Sequence, residues 1–289
     1  MRSRVLLTVA IWILCTSQVH SQFFDDVRGY VLDKTEKYTL ADFLPINLID
    51  LPTANILTET NVKPVRSYYQ ISMRMYENGG ALASISVGLT RHLLFGASYG
   101  GQNIIGQGDI RWNESPGVHL RYLLFTEKYT FKYPIPEIAI GFNSQGYGAY
   151  DFERKRYYHK SLGLYVVVSK DWGYKPLNMG LHIGINRSHE VQDGDKDLNI
   201  FLGAHAMLED ELSVLWEYDL ATNDNNTAFG AGHGYMNAAV RWLILKKLAI
   251  EFSVKNISRN RKDLEGNVIP YTNREFKVLY RVDFRQIGQ

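Results

Sequence analysis

The stretch Arg274-Glu275-Phe276-Lys277-Val278-Leu279-Tyr280-Arg281-Val282-Asp283-Phe284 decides the fold class. In an extended chain successive side chains point to opposite faces. Phe276, Val278, Tyr280, Val282 and Phe284 therefore share one side, while Glu275, Lys277, Arg281 and Asp283 share the other. Leu279 alone breaks the polar side. One apolar and one charged face suit a stave between lipid and an aqueous interior, the signature of a transmembrane β-barrel. They also suit a strand of a soluble sandwich, so the choice falls to the rest of the chain.

Upstream, the same two-faced pattern recurs in segments of about 8 to 11 residues, the length a tilted strand needs to cross a bilayer. Ser67 to Tyr76 sets Tyr69, Ile71, Met73 and Met75 against Gln70, Ser72 and Arg74, and Asn78-Gly79-Gly80 reads as a hairpin turn. Ala81 to Thr90 sets Ala83, Ile85, Val87 and Leu89 against Ser84, Ser86 and Gly88, and Leu93, Phe95, Ala97 and Tyr99 follow. Val118, Leu120, Tyr122 and Leu124 alternate with His119 and Arg121; Ile138, Ile140 and Phe142 alternate with Glu137 and Gly141. Leu162, Leu164, Val166 and Val168 oppose Gly163, Tyr165 and Ser169, and Leu181, Ile183 and Ile185 oppose His182 and Asn186. Between Leu198 and Met207 the phase is open, because Phe201 and Met207 compete with Ile200 and Leu202 for the apolar face. Leu212, Val214, Trp216 and Tyr218 oppose Glu217 and Asp219; Met236, Ala238, Val240 and Trp242 oppose Asn237 and Arg241; Leu248, Ile250, Phe252 and Val254 oppose Glu251, Ser253 and Lys255. The template predicts an all-β, antiparallel transmembrane barrel of about 12 strands over residues 67–284, closed by pairing of the last strand with Ser67 to Tyr76.

Connections supply a separate test. Short ones around Thr90 to His92, Leu208 to Asp210 and Leu245 to Lys247 broadly alternate with long polar ones around Gly100 to Gly117, Gly146 to Lys160, Ser188 to Asp197, Ala221 to Gly234 and Ser258 to Asn273. Thr126 to Pro136 and Asp171 to Asn178 fit less tidily. Such alternation is expected when one rim faces the periplasm and the other the exterior, and an even strand number returns both mature termini to the periplasm.

Residues 1–21 read as a cleavable export signal, with Arg2 and Arg4 ahead of an apolar run from Val5 to Leu14 and a small-residue site at Val19-His20-Ser21. Leu14 before Cys15 does not fit a lipobox, and cleavage removes the single cysteine, so the mature chain carries no disulfide. Loss of the two arginines takes the formal charge from +2 to about zero, which argues against nucleic acid as a partner. Residues 22–66 are irregular, with Leu48-Ile49-Asp50-Leu51-Pro52-Thr53-Ala54 disfavouring helix, and read as a periplasmic lead-in or partial plug. Residues 285–289 form a short tail, and Phe284 stands where an assembly signal for the barrel-assembly machinery ends. The expected location is the cell outer membrane, with its lipid as the surrounding partner.

No motif for chemistry is complete in the sequence. Asp193, Asp195 and Asp197 have the spacing of a calcium loop, but Leu198 and Ala204 occupy its glycine and glutamate positions. Gly146-Tyr147-Gly148 lacks the rest of a phosphate loop and reads as a flexible strand exit. His119, His182 and His205 show neither metal spacing nor a nucleophile elbow and read as polar lumen residues. No catalytic residue, metal or cofactor is assigned, and the chain is read as a non-enzyme.

The inward charged set is the candidate site: Arg74, Arg121, Glu137, Glu217, Asp219, Arg241, Glu251, Lys255, Lys277, Arg281 and Asp283. Both signs on adjacent strands suit either a salt-bridged plug or a selective pore lining, and a barrel of about 12 strands is narrower than the open porins of 16 to 18.

At Leu51-Pro52-Thr53-Ala54, at Pro136 to Phe142 with Gly146-Tyr147-Gly148, and at Lys160 to Lys170, the chain resembles the YjbH-like outer-membrane barrels associated with exopolysaccharide production. It differs from the larger, lipidated members in having one barrel's worth of strands and no lipobox. The resemblance implies an outer-membrane location and glycan handling. The expected function is a narrow or plugged channel or binding barrel for a small polar solute or polysaccharide. The alternatives are a structural or surface-adhesion barrel acting through its loops, or a membrane-embedded lipid- or glycan-modifying enzyme.

Overall fold

The computed structural model describes residues 44–59, 66–126, 136–174, 176–225, 230–244, 247–262, 266–270 and 272–283. The export signal, the tail and Phe284 lie outside them.

Twelve strands form one antiparallel ring: β1 (Arg66–Tyr76), β2 (Gly80–Gly88), β3 (Leu93–Gln102), β4 (Gly117–Phe125), β5 (Glu137–Asn143), β6 (Gly163–Tyr174), β7 (Leu177–Arg187), β8 (Asn199–Leu208), β9 (Leu212–Asp219), β10 (Tyr235–Ile244), β11 (Leu248–Lys255) and β12 (Asn273–Asp283). Each pairs with its chain neighbour, and β12 returns to β1 with Phe276 opposite Met75 and Asp283 opposite Tyr68. Closure leaves no sheet edge, so every stave finds its backbone partners within the ring, the condition for spanning hydrocarbon with strands.

Turn chemistry matches the plan. Asn78 and Gly79 both have φ near +60°, the two-residue hairpin turn whose twist suits the flanking strands. Glu209 and Asp210 repeat this geometry, with the Glu211 amide bonded to the Leu208 carbonyl at 3.0 Å. The β6–β7 connection is equally tight, since β6 runs to Tyr174 and β7 begins at Leu177. The short rim thus includes the segment from Asp171 to Asn178, and most of that segment is strand.

The outward faces form an apolar belt around the ring. Ile71, Ile85, Leu120, Ile183, Val214, Val240 and Phe252 are all exposed, Phe252 by 63%. A belt this extensive far exceeds the apolar patches that water-exposed proteins carry, and it identifies the outer wall as lipid-facing. Aromatic side chains gather towards both rims: Tyr99 stacked on Trp112 at 5.6 Å and Trp216 beside Tyr218 towards the long-loop rim, with Tyr122, Phe125, Trp242 and Tyr280 towards the other.

The open phase of β8 resolves with Phe201 and Met207 inward and buried, and Ile200 outward. Phe201 lies against Gly184 of β7, where an added Cβ would meet its ring at 2.1 Å, so the neighbouring glycine makes the room. Leu162 departs from the expected outward facing. β6 starts only at Gly163, whose φ of +64° redirects the chain, and Leu162 packs inside with Leu123, Ala139 and Val167. Leu279, the exception on the polar face of β12, packs inside with Leu243 and Ala249.

Candidate functional site

Residues 44–57 run through the lumen as a strap. Its polar partners come from β1, β4, β6, β9, β10, β11 and β12, which places it within the ring. The strap is a tight loop: the Leu48 amide bonds to the Leu51 carbonyl at 2.9 Å, and the Thr53 amide to the Ile46 carbonyl at 3.0 Å. Prolines at positions 45 and 52 suit this bend and disfavour a helix.

One carboxylate caps the tip of the loop. Glu217 Oε2 accepts from the amides of Ile49, Asp50 and Leu51 at 3.2, 2.9 and 3.0 Å, while its Oε1 accepts from Asn237 Nδ2 at 2.7 Å. Three convergent backbone amides make an anion nest, so the buried Glu217 charge is met by fixed dipoles. Carbonyls of the same strap receive cations. Arg74 donates to the Ile49 carbonyl at 2.8 Å and pairs with Asp50 at 2.6 Å; Lys255 pairs with the other Asp50 oxygen. Arg241 donates to the Leu48 carbonyl at 2.6 Å, Lys277 to the Ile49 carbonyl at 3.1 Å, and Arg281 to the Leu44 carbonyl at 3.3 Å. From the opposite wall Arg121 donates to the Ile46 and Asn55 carbonyls, both at 2.7 Å, and is itself oriented by the Tyr165 hydroxyl at 3.0 Å. Glu251 ties Arg241 to Lys277 at 2.7 and 2.8 Å.

Apolar knobs complete the seat. Leu48 and Ile49 pack on Leu215 and Ala239, Leu51 and Ala54 on Leu123, Val167 and Phe201, and Ile46 and Leu57 on Leu94. Leu48 enters the space left by Gly203, where an added Cβ would lie 2.0 Å from its Cδ1. Between the strap and β1–β4 a cavity of about 70 Å³ remains, lined by Ser72, Ser84, Ser86, Ser98 and His119 among others.

The long-loop rim is folded over this assembly. The hairpin of Tyr147–Asp151 with Arg156–His159 sends Tyr147 down to the strap, its ring 4.6 Å from the Arg74 guanidinium and its hydroxyl 3.5 Å from the Asp50 carbonyl. The expected flexible strand exit at Gly146 to Gly148 is therefore the start of an inward hairpin. Arg156, 1% exposed, pairs with Asp193 at 2.6 Å and Asp224 at 2.7 Å, joining three loops, and Lys160 adds Asp193 at 2.6 Å. Asp193 and Asp195 are thus committed to loop geometry, each accepting the amide two residues on, and Asp197 supplies one of those amides. Glu190 accepts the hairpin amides of Tyr157 at 3.3 Å and Ser161 at 2.7 Å; burial pushes its carboxyl up to about 7, against the pull of those amides.

Of the residues expected to line the lumen, Arg74, Arg121, Glu217, Arg241, Glu251, Lys255, Lys277 and Arg281 meet around the strap. Glu137 does not; it accepts from Thr126 at 3.0 Å where β5 leaves the short-turn rim. Asp219 sits at the opposite rim, bonded to Asn199 at 2.6 Å and to the Ala221 amide at 2.8 Å. Asp283 pairs through its backbone with Tyr68. The candidate set lacked Asp50, Tyr147 and Glu275, the partner of Arg74 at 3.2 Å. Alternation puts Glu275 on the polar face of its strand, but the other two lie outside any periodic stave.

No protein-family model matches the chain, and no curated protein matches it. Among solved structures it is similar to the KdgM porin, with 12% identity, a TM-score of 0.45, and coverage of 74% of this chain and 98% of that one. It is also similar to the NanC porin, with 9% identity, a TM-score of 0.46, and coverage of 74% and 100%. A KdgM porin in complex with disordered oligogalacturonate aligns at 11% identity with a TM-score of 0.43, covering 74% and 98%.

Proposed function

We propose that this chain is an outer-membrane channel for small anionic solutes, acidic glycans included, closed at rest by the strap of residues 44–57. The observation that carries the reading is the charge asymmetry of the strap's seat. Arg74, Arg121, Arg241, Lys255, Lys277 and Arg281 converge on the strap, faced by the wall carboxylates Glu217, Glu251 and Glu275. Asp50, which neutralises Arg74 and Lys255, belongs to the strap itself. Moving the strap takes that carboxylate away and leaves a pore lined by excess cations, which draws anions and repels cations. Most of these cations act on backbone carbonyls, a role that water or the oxygens of a passing solute can take over. The apolar outer belt places the barrel in the membrane, and the resemblance to exopolysaccharide-associated barrels supports a glycan as the solute.

The test is the reversal potential in planar bilayers under a KCl gradient, for the full chain and for a chain lacking residues 46–54. The full chain is expected to be nearly silent, and the deleted chain to conduct with anion selectivity. A folded, inserted deletion variant that carries no current, or that selects cations, would overturn the proposal.

A second reading has one observation in its favour. A cavity of about 70 Å³ holds a few waters and no sugar ring, as befits a structural barrel whose lumen is permanently filled. Silence of both chains in the same experiment selects it.

A further inference from the structure

Three inward side chains on adjacent staves converge away from the charged seat: Asp171 of β6, His182 of β7 and His205 of β8. Their ligand atoms all lie within 4.8 Å of one another. We propose that they bind a divalent first-row transition metal of the zinc type, through one carboxylate and two imidazoles.

The register explains the convergence. Gly180 lies opposite Asp171 on one side and His205 on the other, so both side chains lean over the same glycine. A Cβ at position 180 would sit 2.2 Å from Asp171 Oδ1 and 2.2 Å from His205 Cε1, so any other residue there would force the donors apart. His182 is set by a neighbour: its Nδ1 lies 2.8 Å from Ser169 Oγ, which also accepts the Ala54 amide at 2.8 Å. With Nδ1 carrying the proton towards Ser169, His182 Nε2 is left as a lone-pair donor, the outer-sphere arrangement that orients metal-bound histidines. That Nε2 lies 3.0 Å from His205 Nδ1, close to the spacing of two nitrogens on one small ion. His205 is buried, and its Nε2, 3.6 Å from Asp171, makes no hydrogen bond among the described residues. Coordination through His205 Nδ1 leaves the ring proton on Nε2, facing the Asp171 carboxylate across 3.6 Å. Two imidazoles and a carboxylate suit zinc, nickel, copper or ferrous iron, and suit calcium or magnesium poorly. Through Ser169 and Ala54 the ion would stiffen one anchor of the strap.

The test uses the full chain folded in detergent and stripped with chelator. Titration with Zn²⁺ is expected to show one equivalent bound at micromolar or tighter dissociation constant, and a His182→Gln/His205→Gln double variant is expected to lose that equivalent. Gly180→Ala should weaken it at least tenfold. Equal binding by wild type and double variant, or none by wild type, overturns the proposal. Should the variants fail to show the heat-modifiable migration of a folded barrel, Co²⁺ on the wild type decides. Intense visible bands of a low-coordinate, nitrogen-bound ion support the site, and the spectrum of aqueous Co²⁺ overturns it.

Discussion

Two walls of the same lumen treat the strap differently. On β9–β12 the inward positions are Glu217, Arg241, Glu251, Lys255 and Lys277, and each holds the strap or a neighbour that does. On β2–β3 and the start of β4 the corresponding positions are Ser84, Ser86, Ser98 and His119, which stand back and leave the cavity. There the polar groups satisfy one another, Ser84 with Ser72 at 2.6 Å and Ser98 with Gln145 at 2.8 Å and His119 at 2.9 Å. The strap is therefore held by the dense charge of β9–β12 and by Arg121 of β4, while β2–β3 meet it through the apolar contact of Leu94. In the proposed channel, a path through the barrel would follow the serine wall, with the charged wall setting how tightly it is shut.

The hardest blow to that asymmetry is Glu217→Ala. It strips three strap amides of their acceptor and removes the second carboxylate beside Lys255, after Asp50, a loss of the kind that costs about 3–5 kcal/mol in a buried setting. At about 1.4 kcal/mol per tenfold, the released population should rise more than a hundredfold, seen as sustained bilayer current from a barrel that still assembles. Unchanged silence would show that the fastening lies elsewhere. Next comes Leu48→Ala, which empties the hole beside Gly203 and should loosen the strap by about 2–5 kcal/mol. Gly203→Ala fills that hole from the other side and should also open the channel. Combined with Leu48→Ala it should do less than the sum of the two, because the added methyl occupies the vacated space. Strict additivity would deny that knob and hole meet.

This difference between the walls was half legible in the sequence. Period-two alternation placed Arg241, Glu251, Lys255 and Lys277 inside and Val240, Ile250, Phe252 and Val278 outside, since a closed barrel demands that contrast at every stave. It left the phase of β8 open, where Phe201 and Met207 serve the interior because Gly184 leaves space for an aromatic ring, and it failed at Leu162, which precedes its strand. It could suggest a plug in residues 22–66 without showing its seat. Glu217 meets Ile49 across 168 positions of chain, a contact with no periodicity to announce it. The histidine pair stayed hidden for the same reason: His182 and His205 are 23 residues apart in sequence and meet only through strand register.

The gentlest probe of the asymmetry is pH, acting on the hairpin that roofs the serine wall. Gln145 and Tyr147 of this connection line the cavity, and the hairpin is pinned from outside by Glu190 through the Tyr157 and Ser161 amides. Burial raises the Glu190 carboxyl to about 7, so the closed hairpin binds a proton that the open one, with Glu190 in water, gives up at ordinary glutamate values. A raised folded-state value means that closure is most stable below the ordinary range and weakens as pH rises through about 7. Protection of the Tyr157 and Ser161 amides against hydrogen exchange, corrected for intrinsic rates, should fall between pH 5 and pH 8 by about tenfold or more. Glu190→Gln keeps an acceptor without the titration and should flatten the profile. A wild-type profile as flat as the glutamine variant's would mean that Arg156 and its two aspartates hold the roof unaided, leaving the serine wall closed at any pH.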